Sequence, residues 1–207
     1  MITIVDYGLG NVRAFTNVFK RLNVPSRIAR TAAELEGASR IILPGVGAFD
    51  HAMERLDDSG LRPPLEALVQ ERQVPVLGVC VGMQMLANSS EEGQRAGLGW
   101  IGGRVRHFRS QSACADLAMP HMGWNDVRPV GEAGAGDLFA GLEQEARFYF
   151  LHSFYFECED PSNVAARASY GVDFACAVRR GHVHGVQFHP EKSHHWGERL
   201  LENFARG

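Results

Sequence analysis

Apolar and polar positions alternate between two periods along the first ninety residues. Ile2 to Val5 is a short apolar run, closed by Asp6-Tyr7-Gly8-Leu9-Gly10-Asn11. Val12, Phe15, Val18, Phe19 and Leu22 then recur at helical spacing. Ser26 to Ala29 reads as a second strand, and Arg40 to Leu43 as a third, stopped by Pro44-Gly45-Val46-Gly47. Helical stretches follow at Asp50 to Leu56 and Pro63 to Glu71. Val74 to Val79 is another buried-strand pattern, leading through Cys80-Val81-Gly82 into a helix-like Met83 to Ala87. Such alternation predicts an α/β fold: a mostly parallel, doubly wound sheet flanked by helices.

After Gly97 the texture changes. Trp100 to Phe108, Trp124 to Val127, Arg147 to Leu151, Ala165 to Ser169, Ala175 to Arg179 and Val183 to Phe188 read as strands separated by turns. Few helices intervene before the amphipathic stretch Trp196 to Ala205. Without repeats, low-complexity tracts or a long linker, residues 1–207 are expected to form one domain with an antiparallel β extension.

Composition narrows the function classes. The 207 residues carry 24 acidic and 21 basic side chains, a net charge of −3, which disfavours a phosphate-tracking nucleic-acid binder. No apolar run approaches the roughly 18 residues that span a bilayer. Met1 leads straight into Ile2-Thr3-Ile4-Val5 with no basic n-region, so no membrane role and a cytoplasmic location are expected. The four cysteines are widely spaced with no CxxC, which fits free thiols.

One of those thiols stands in special surroundings. Val76 to Gln84 reads as a strand running into Gly78-Val79-Cys80-Val81-Gly82 and then a helix. A nucleophile on such a turn projects from the carboxyl end of the sheet, beside the N–H groups of the following helix. A buried core cysteine is the plainer alternative for Cys80 alone; strand, G-x-C-x-G and helix together favour the nucleophile.

A nucleophilic cysteine needs a base, and the base an orienter. Gly185-Val186-Gln187-Phe188-His189-Pro190-Glu191 supplies both. In an extended chain residues two apart point the same way, so Glu191 is expected to reach the His189 imidazole. A zinc site built from His182, His184 and Glu191 is the rival, but it lacks a complete ligand signature and leaves G-x-C-x-G unexplained. His51, His107, His121 and His152 suit surface or core roles better.

Leu43 to Phe49 adds a Gly-rich turn after a strand. It is no phosphate loop, since G-x-x-x-x-G-K-[ST] is absent. It suits half of an oxyanion hole, with the N–H of Gly47 or Val46 as one donor and that of Val81 as the other. Gly8-Leu9-Gly10-Asn11 lacks the third glycine of a dinucleotide fingerprint, because position 13 is Arg13.

Gly78-Val79-Cys80-Val81-Gly82-Met83-Gln84, Pro44-Gly45-Val46-Gly47-Ala48-Phe49 and Gln187-Phe188-His189-Pro190-Glu191-Lys192-Ser193 together resemble the triad-type class I glutamine amidotransferases. Val5 to Asn11, Pro120-His121-Met122-Gly123-Trp124-Asn125 and Tyr149-Phe150-Leu151-His152-Ser153 are similar, more narrowly, to the glutaminase subunits of imidazole glycerol phosphate synthases of histidine biosynthesis. The likeness spans essentially the whole chain. It implies a flavodoxin-like glutamine amidotransferase fold and hydrolysis of glutamine to glutamate and ammonia by Cys80, His189 and Glu191. Gln84, Glu92, Ser153 and Phe154 are implied as glutamine contacts, although Ser90-Glu91-Glu92-Gly93 can also be read as an acidic surface loop. The family implies no cofactor and no metal. It implies a (β/α)8-barrel synthase as partner in a heterodimer, met by Gly10, Asn11, His121, Trp124, Asn125 and Lys192. Two departures are visible: Val79 and Val81 stand where Ile and Leu are common, and Phe154 where a Tyr is common. A paralogous glutaminase feeding another acceptor, such as a sugar amidotransferase, shares the same motifs.

Overall fold

The computed structural model describes residues 1–131 and 137–207. Strands β1 (Ile2–Val5), β2 (Ser26–Ala29), β3 (Arg40–Gly45) and β4 (Val76–Cys80) alternate with helices α1 (Val12–Arg21), α2 (Ala32–Leu35), α3 (Phe49–Asp58) and α4 (Arg62–Glu66). The short α5 (Val81–Gln84) follows β4 without a gap. Then come β5 (Ser89–Ser90), β6 (Gly103–His107), β7 (His121–Asp126), β8 (Arg128–Pro129), β9 (Arg147–His152), β10 (Phe154–Cys158), β11 (Val164–Tyr170), β12 (Val172–Arg180), β13 (Val183–Val186) and α6 (His194–Arg206).

The main sheet runs β2-β1-β3-β4-β13-β12-β10-β6-β5, with β11 pairing both β12 and β8. Pairs from β2 across to β13 are parallel; β12 is antiparallel to β13, β10 and β11. This is the mostly parallel sheet with an antiparallel extension that the alternation predicts. A separate antiparallel ribbon joins β7 to β9. All five residues of β4 are buried, as a strand covered on both faces requires. Helix α1 buries Val12, Phe15, Val18 and Phe19, and α6 buries Leu200, Leu201 and Phe204. A buried aromatic or aliphatic side chain of this kind stabilises the fold by roughly 1.5–3 kcal/mol. Among the described residues no helix is long and apolar enough to cross a membrane.

Local chemistry explains the boundaries. The Asn11 side chain accepts from the Ala14 N–H and starts α1, while Lys20 and Arg21 face its carboxyl end. Strand β3 continues through Pro44, where the sequence predicts a stop. By that point it pairs only with β4, having left β1 after Ile42, so the missing N–H leaves no second ladder unsatisfied. The helix expected over Pro63 to Glu71 divides into α4 and a π turn, Ala67–Glu71. The segment 121–125, expected to meet a partner, lies wholly in β7, whose alternation turns His121 inward and Met122 and Trp124 outward.

Candidate active site

Cys80 ends β4 and sits at φ 56°, ψ −113°, a left-handed conformation uncommon outside glycine, with α5 starting at the next residue. Tight packing beneath the turn holds it there. A Cβ on Gly78 would lie 2.5 Å from the Gly82 carbonyl oxygen, and one on Gly82 would overlap the Leu43 carbonyl oxygen. Only glycines at both positions let the turn press against itself and β3. Gly45 is in register with Cys80, so Val46 and Gly47 emerge beside Cys80 and Val81 at the carboxyl edge of the sheet.

The second half of the site arrives on β13. Its parallel register with β4 pairs Val186 with Val79, so Gln187, Phe188 and His189 leave the sheet at the same edge. His189 is pinned through its own N–H to the Tyr149 carbonyl (2.9 Å) and through its carbonyl, which accepts from the Ser193 hydroxyl (2.6 Å). Its Nδ1 lies 2.8 Å from Glu191 Oε1, with both side chains almost fully buried. The predicted reach is present, but the extended geometry argued for it is not. Pro190–Lys192 form a 3-10 turn, and that turn brings the carboxylate back to the ring. Burial alone would lower the His189 pKa. Hydrogen bonds with the Cys80 sulfur and the Glu191 carboxylate, reinforced by both charges, outweigh it and lift the value to about 10.

A cavity of about 300 Å³ opens over this edge. Cys80, Val81, Val46, Gly47 and His189 line one part of it, and Gln84, Glu92, Ser153, Phe154 and Lys192 line the rest. Glu92 is more than a residue of a surface loop: its Oε2 accepts from the Phe49 N–H at 2.8 Å, at the start of α3. Three lining residues have no role in the sequence reading: Pro120, Leu151 and His152. Nor does Gln187, which is fully buried with its Nε2 3.8 Å from Cys80 Sγ and its Oε1 3.0 Å from Gln84 Nε2. A usable signal was the two-residue period, since Gln187 stands two before His189 at a strand end.

Of the residues expected to meet a partner, Lys192 lines the cavity and the others do not. Asn11 caps α1 with its side chain, and Gly10 sits at φ +95° against Pro44. Lys192 lies over the Tyr149 ring at 5.9 Å, and Trp124, 42% exposed, stacks on His194. Asn125 donates to the Ser169 carbonyl. His121 differs from these because it is in the core. It hydrogen-bonds His152 at 3.0 Å and stacks on Tyr170, and burial pushes its pKa down to about 4.

A larger cavity, about 400 Å³, opens among Arg179, Arg180 and His184 at the opposite end of the strands, away from Cys80. His182 hydrogen-bonds the Val69 carbonyl and His184 packs on the Phe204 ring. Among the described residues no group of three or more His, Cys, Asp or Glu side chains is placed to hold a metal ion.

The family model described as glutamine amidotransferase class-I matches residues 3–207. The chain belongs to that family. As a class-I glutamine amidotransferase it is an enzyme, with close relatives along its whole length. It is 63% identical to the imidazole glycerol phosphate synthase subunit HisH of Bdellovibrio bacteriovorus, over 99% of each chain. It is 53% identical to the subunit of the same name from Leptospira borgpetersenii, again over 99% of each. Among solved structures it resembles a glutamine amidotransferase at TM-score 0.74 and 21% identity, covering 98% of this chain and 96% of that one. A glutamine amidotransferase from Thermotoga maritima matches at TM-score 0.62 and 18% identity, over 98% of this chain and 81% of that one. These two likenesses are in fold.

Proposed function

We propose that this amidotransferase hydrolyses glutamine to glutamate and ammonia and passes the ammonia to a cyclase subunit that makes imidazole glycerol phosphate and AICAR in histidine biosynthesis. The observation that carries the chemistry is the buried His189–Glu191 pair, 2.8 Å apart, beside the Cys80 sulfur in the floor of the cavity. Relatives named as imidazole glycerol phosphate synthase subunits, 63% and 53% identical, support the pathway.

In this reading the Cys80 thiolate attacks the side-chain carboxamide carbon. The oxyanion is met by the N–H of Val81 and that of Gly47 or Val46. His189 gives its proton to the departing ammonia as the C–N bond breaks, leaving a γ-glutamyl thioester. It then takes a proton from water, whose oxygen forms the new C–O bond while the sulfur leaves with its electron pair. Glu191 fixes the ring and balances its charge throughout. Gln84, Glu92, Ser153 and Phe154 hold the amino-acid end of glutamine, Glu92 by charge to the α-ammonium. No metal or cofactor enters these steps.

The 207 residues work as one domain in the cytoplasm, paired as a heterodimer with a (β/α)8-barrel subunit. Exposed Met122 (66%), Trp124 (42%) and Leu151 (38%) form an apolar rim on the β7–β9 ribbon, to which Gly10, Asn11, Asn125 and Lys192 add polar contacts. His121 supports this surface from behind.

Reconstitution with the cyclase tests the reading. Cys80→Ala should abolish glutamate release and glutamine-dependent product while product made from added ammonia persists. Glutamate release that survives Cys80→Ala overturns it.

A further inference from the structure

The Phe154 carbonyl oxygen can only accept hydrogen bonds, and that single fact sets the sense of a buried network on both of its sides. On one side lies His152 Nδ1, 2.7 Å away, so that nitrogen carries the proton. His152 Nε2 therefore accepts from His121 Nδ1 at 3.0 Å, and His121 Nε2 in turn accepts from Asn125 Nδ2 at 3.2 Å. On the other side lies Gln84 Nε2, 3.4 Å from the same oxygen and 3.0 Å from Gln187 Oε1. The Gln84 amide nitrogen thus sits between two acceptors, and the orientation of the Gln187 carboxamide follows. Its oxygen faces Gln84 and its N–H faces Cys80 Sγ, at 3.8 Å.

We propose that Gln187 is a catalytic residue of the glutaminase reaction, donating a hydrogen bond to the Cys80 sulfur whenever that sulfur carries charge. The proposal rests on the reading of Cys80 as the nucleophile. Its particular value lies in the second half-reaction. While water attacks the thioester, His189 is occupied in taking that water's proton, and it offers the sulfur a hydrogen bond only once it holds the proton. The electron pair of the breaking C–S bond arrives on an atom that already faces the Gln187 N–H, a second side-chain donor beside His189. The donor is fixed beforehand: the side chain is fully buried, its own backbone N–H is bonded to the Cys176 carbonyl at 2.8 Å, and its amide cannot flip without opposing two N–H groups or two carbonyl groups. A prepositioned donor in a site shielded from water needs no rearrangement when charge appears.

The test uses the chain bound to its cyclase, with two substitutions. Gln187→Met keeps the volume and removes the donor; Gln187→Glu keeps the shape and puts a carboxyl group beside the sulfur. For Gln187→Met, kcat for glutamine should fall about ten-fold, the worth of one hydrogen bond to a charged group, with no rise in KM. Acid-quenched samples should show more γ-glutamyl adduct on Cys80 than wild type, because loss of the donor slows thioester breakdown most. Iodoacetamide should alkylate Cys80 in the order wild type, Gln187→Met, Gln187→Glu, from fastest to slowest. A structural role would lower activity without building up adduct or grading the alkylation by charge. A kcat within about two-fold of wild type, or a slower enzyme with neither adduct nor graded alkylation, overturns the proposal. Should Gln187→Met not fold, the alkylation and adduct measurements on Gln187→Glu decide alone. Full activity in Cys80→Ala would instead remove the underlying reading, and the alkylation series, which needs no turnover, separates the two failures.

Discussion

Glu191 Oε1 meets His189 Nδ1 at 2.8 Å, while the other oxygen of the same carboxylate is buried with no hydrogen-bond partner among the described residues. The carboxylate therefore has one strong attachment, and that attachment is the imidazole. Glu191→Gln keeps the shape and removes the charge that holds the imidazolium. We expect kcat for glutamine hydrolysis to fall about 10²- to 10³-fold with a small change in KM, as for the loss of an electrostatic partner present mainly in the transition state. Steady-state glutaminase assays in the presence of the cyclase and its substrate measure this; a kcat within a few-fold of wild type would contradict the assigned role.

Stability should pass through a maximum near neutral pH, with different histidines on its two flanks. His189 is raised from 6.5 to about 10, so its contribution is full below pH 6.5 and is lost as pH rises through 10. His152 and His121 are lowered by burial from 6.5 to about 3 and about 4. The unfolded chain takes up their protons first, so stability falls as pH drops below 6.5 toward those values. Urea unfolding across pH 4 to 10 should show both flanks. His189→Asn should flatten the alkaline one and His152→Phe the acid one. Unchanged flanks in these variants would refute the assignment.

Gly82→Ala should destabilise the fold severely. The added methyl would overlap the Leu43 carbonyl oxygen, a backbone atom that cannot move without disturbing β3. A loss of about 2–4 kcal/mol is expected, in the range of overpacked core positions with backbone shifts. Chemical denaturation of the purified variant gives the value, and a loss below about 0.5 kcal/mol would show that the turn can relax.

Glu92 joins a structural contact to a proposed binding role, and one substitution can separate them. Its carboxylate accepts from the Phe49 N–H and also lines the cavity. Glu92→Gln retains an acceptor for that N–H but loses the charge offered to the glutamine α-ammonium. KM should rise about ten-fold, equivalent to ~1.4 kcal/mol of lost binding, with the melting temperature unchanged. A fall in stability with KM unaltered would assign Glu92 to the helix start alone.

Much of the architecture was readable because it depends on local patterns. The β1–α1 unit, the buried β4 and the amphipathic α6 follow from periodicity and caps, and the turn around Cys80 from its two glycines. What escaped was set by tertiary pairing. Strand β10 goes unpredicted because the chain passes from the β7–β9 ribbon to the main sheet at Ser153 with no glycine or proline to mark the change. Helix α2 is only one turn long, too short for a periodic signal, although Thr31 and Glu34 form a reciprocal cap there. In the candidate site, Cys80, His189 and Glu191 stand out by motif. Gln187 and His152 did not, since a buried amide or imidazole gains its meaning from partners more than thirty residues away.

The placement of β13 between β4 and β12 also bears on how the enzyme comes into being. The strand that leads to His189 enters the middle of the sheet, beside the strand that ends at Cys80, after everything else in the sheet has been synthesised. Until it arrives, β4 and β12 each lack a neighbour and Cys80 lacks the imidazole. A ribosome-bound chain that has not yet released residues 183–189 therefore holds Cys80 without its imidazole neighbour. On the proposed reading of Cys80 as nucleophile, the catalytic group is completed in the same event that closes the sheet.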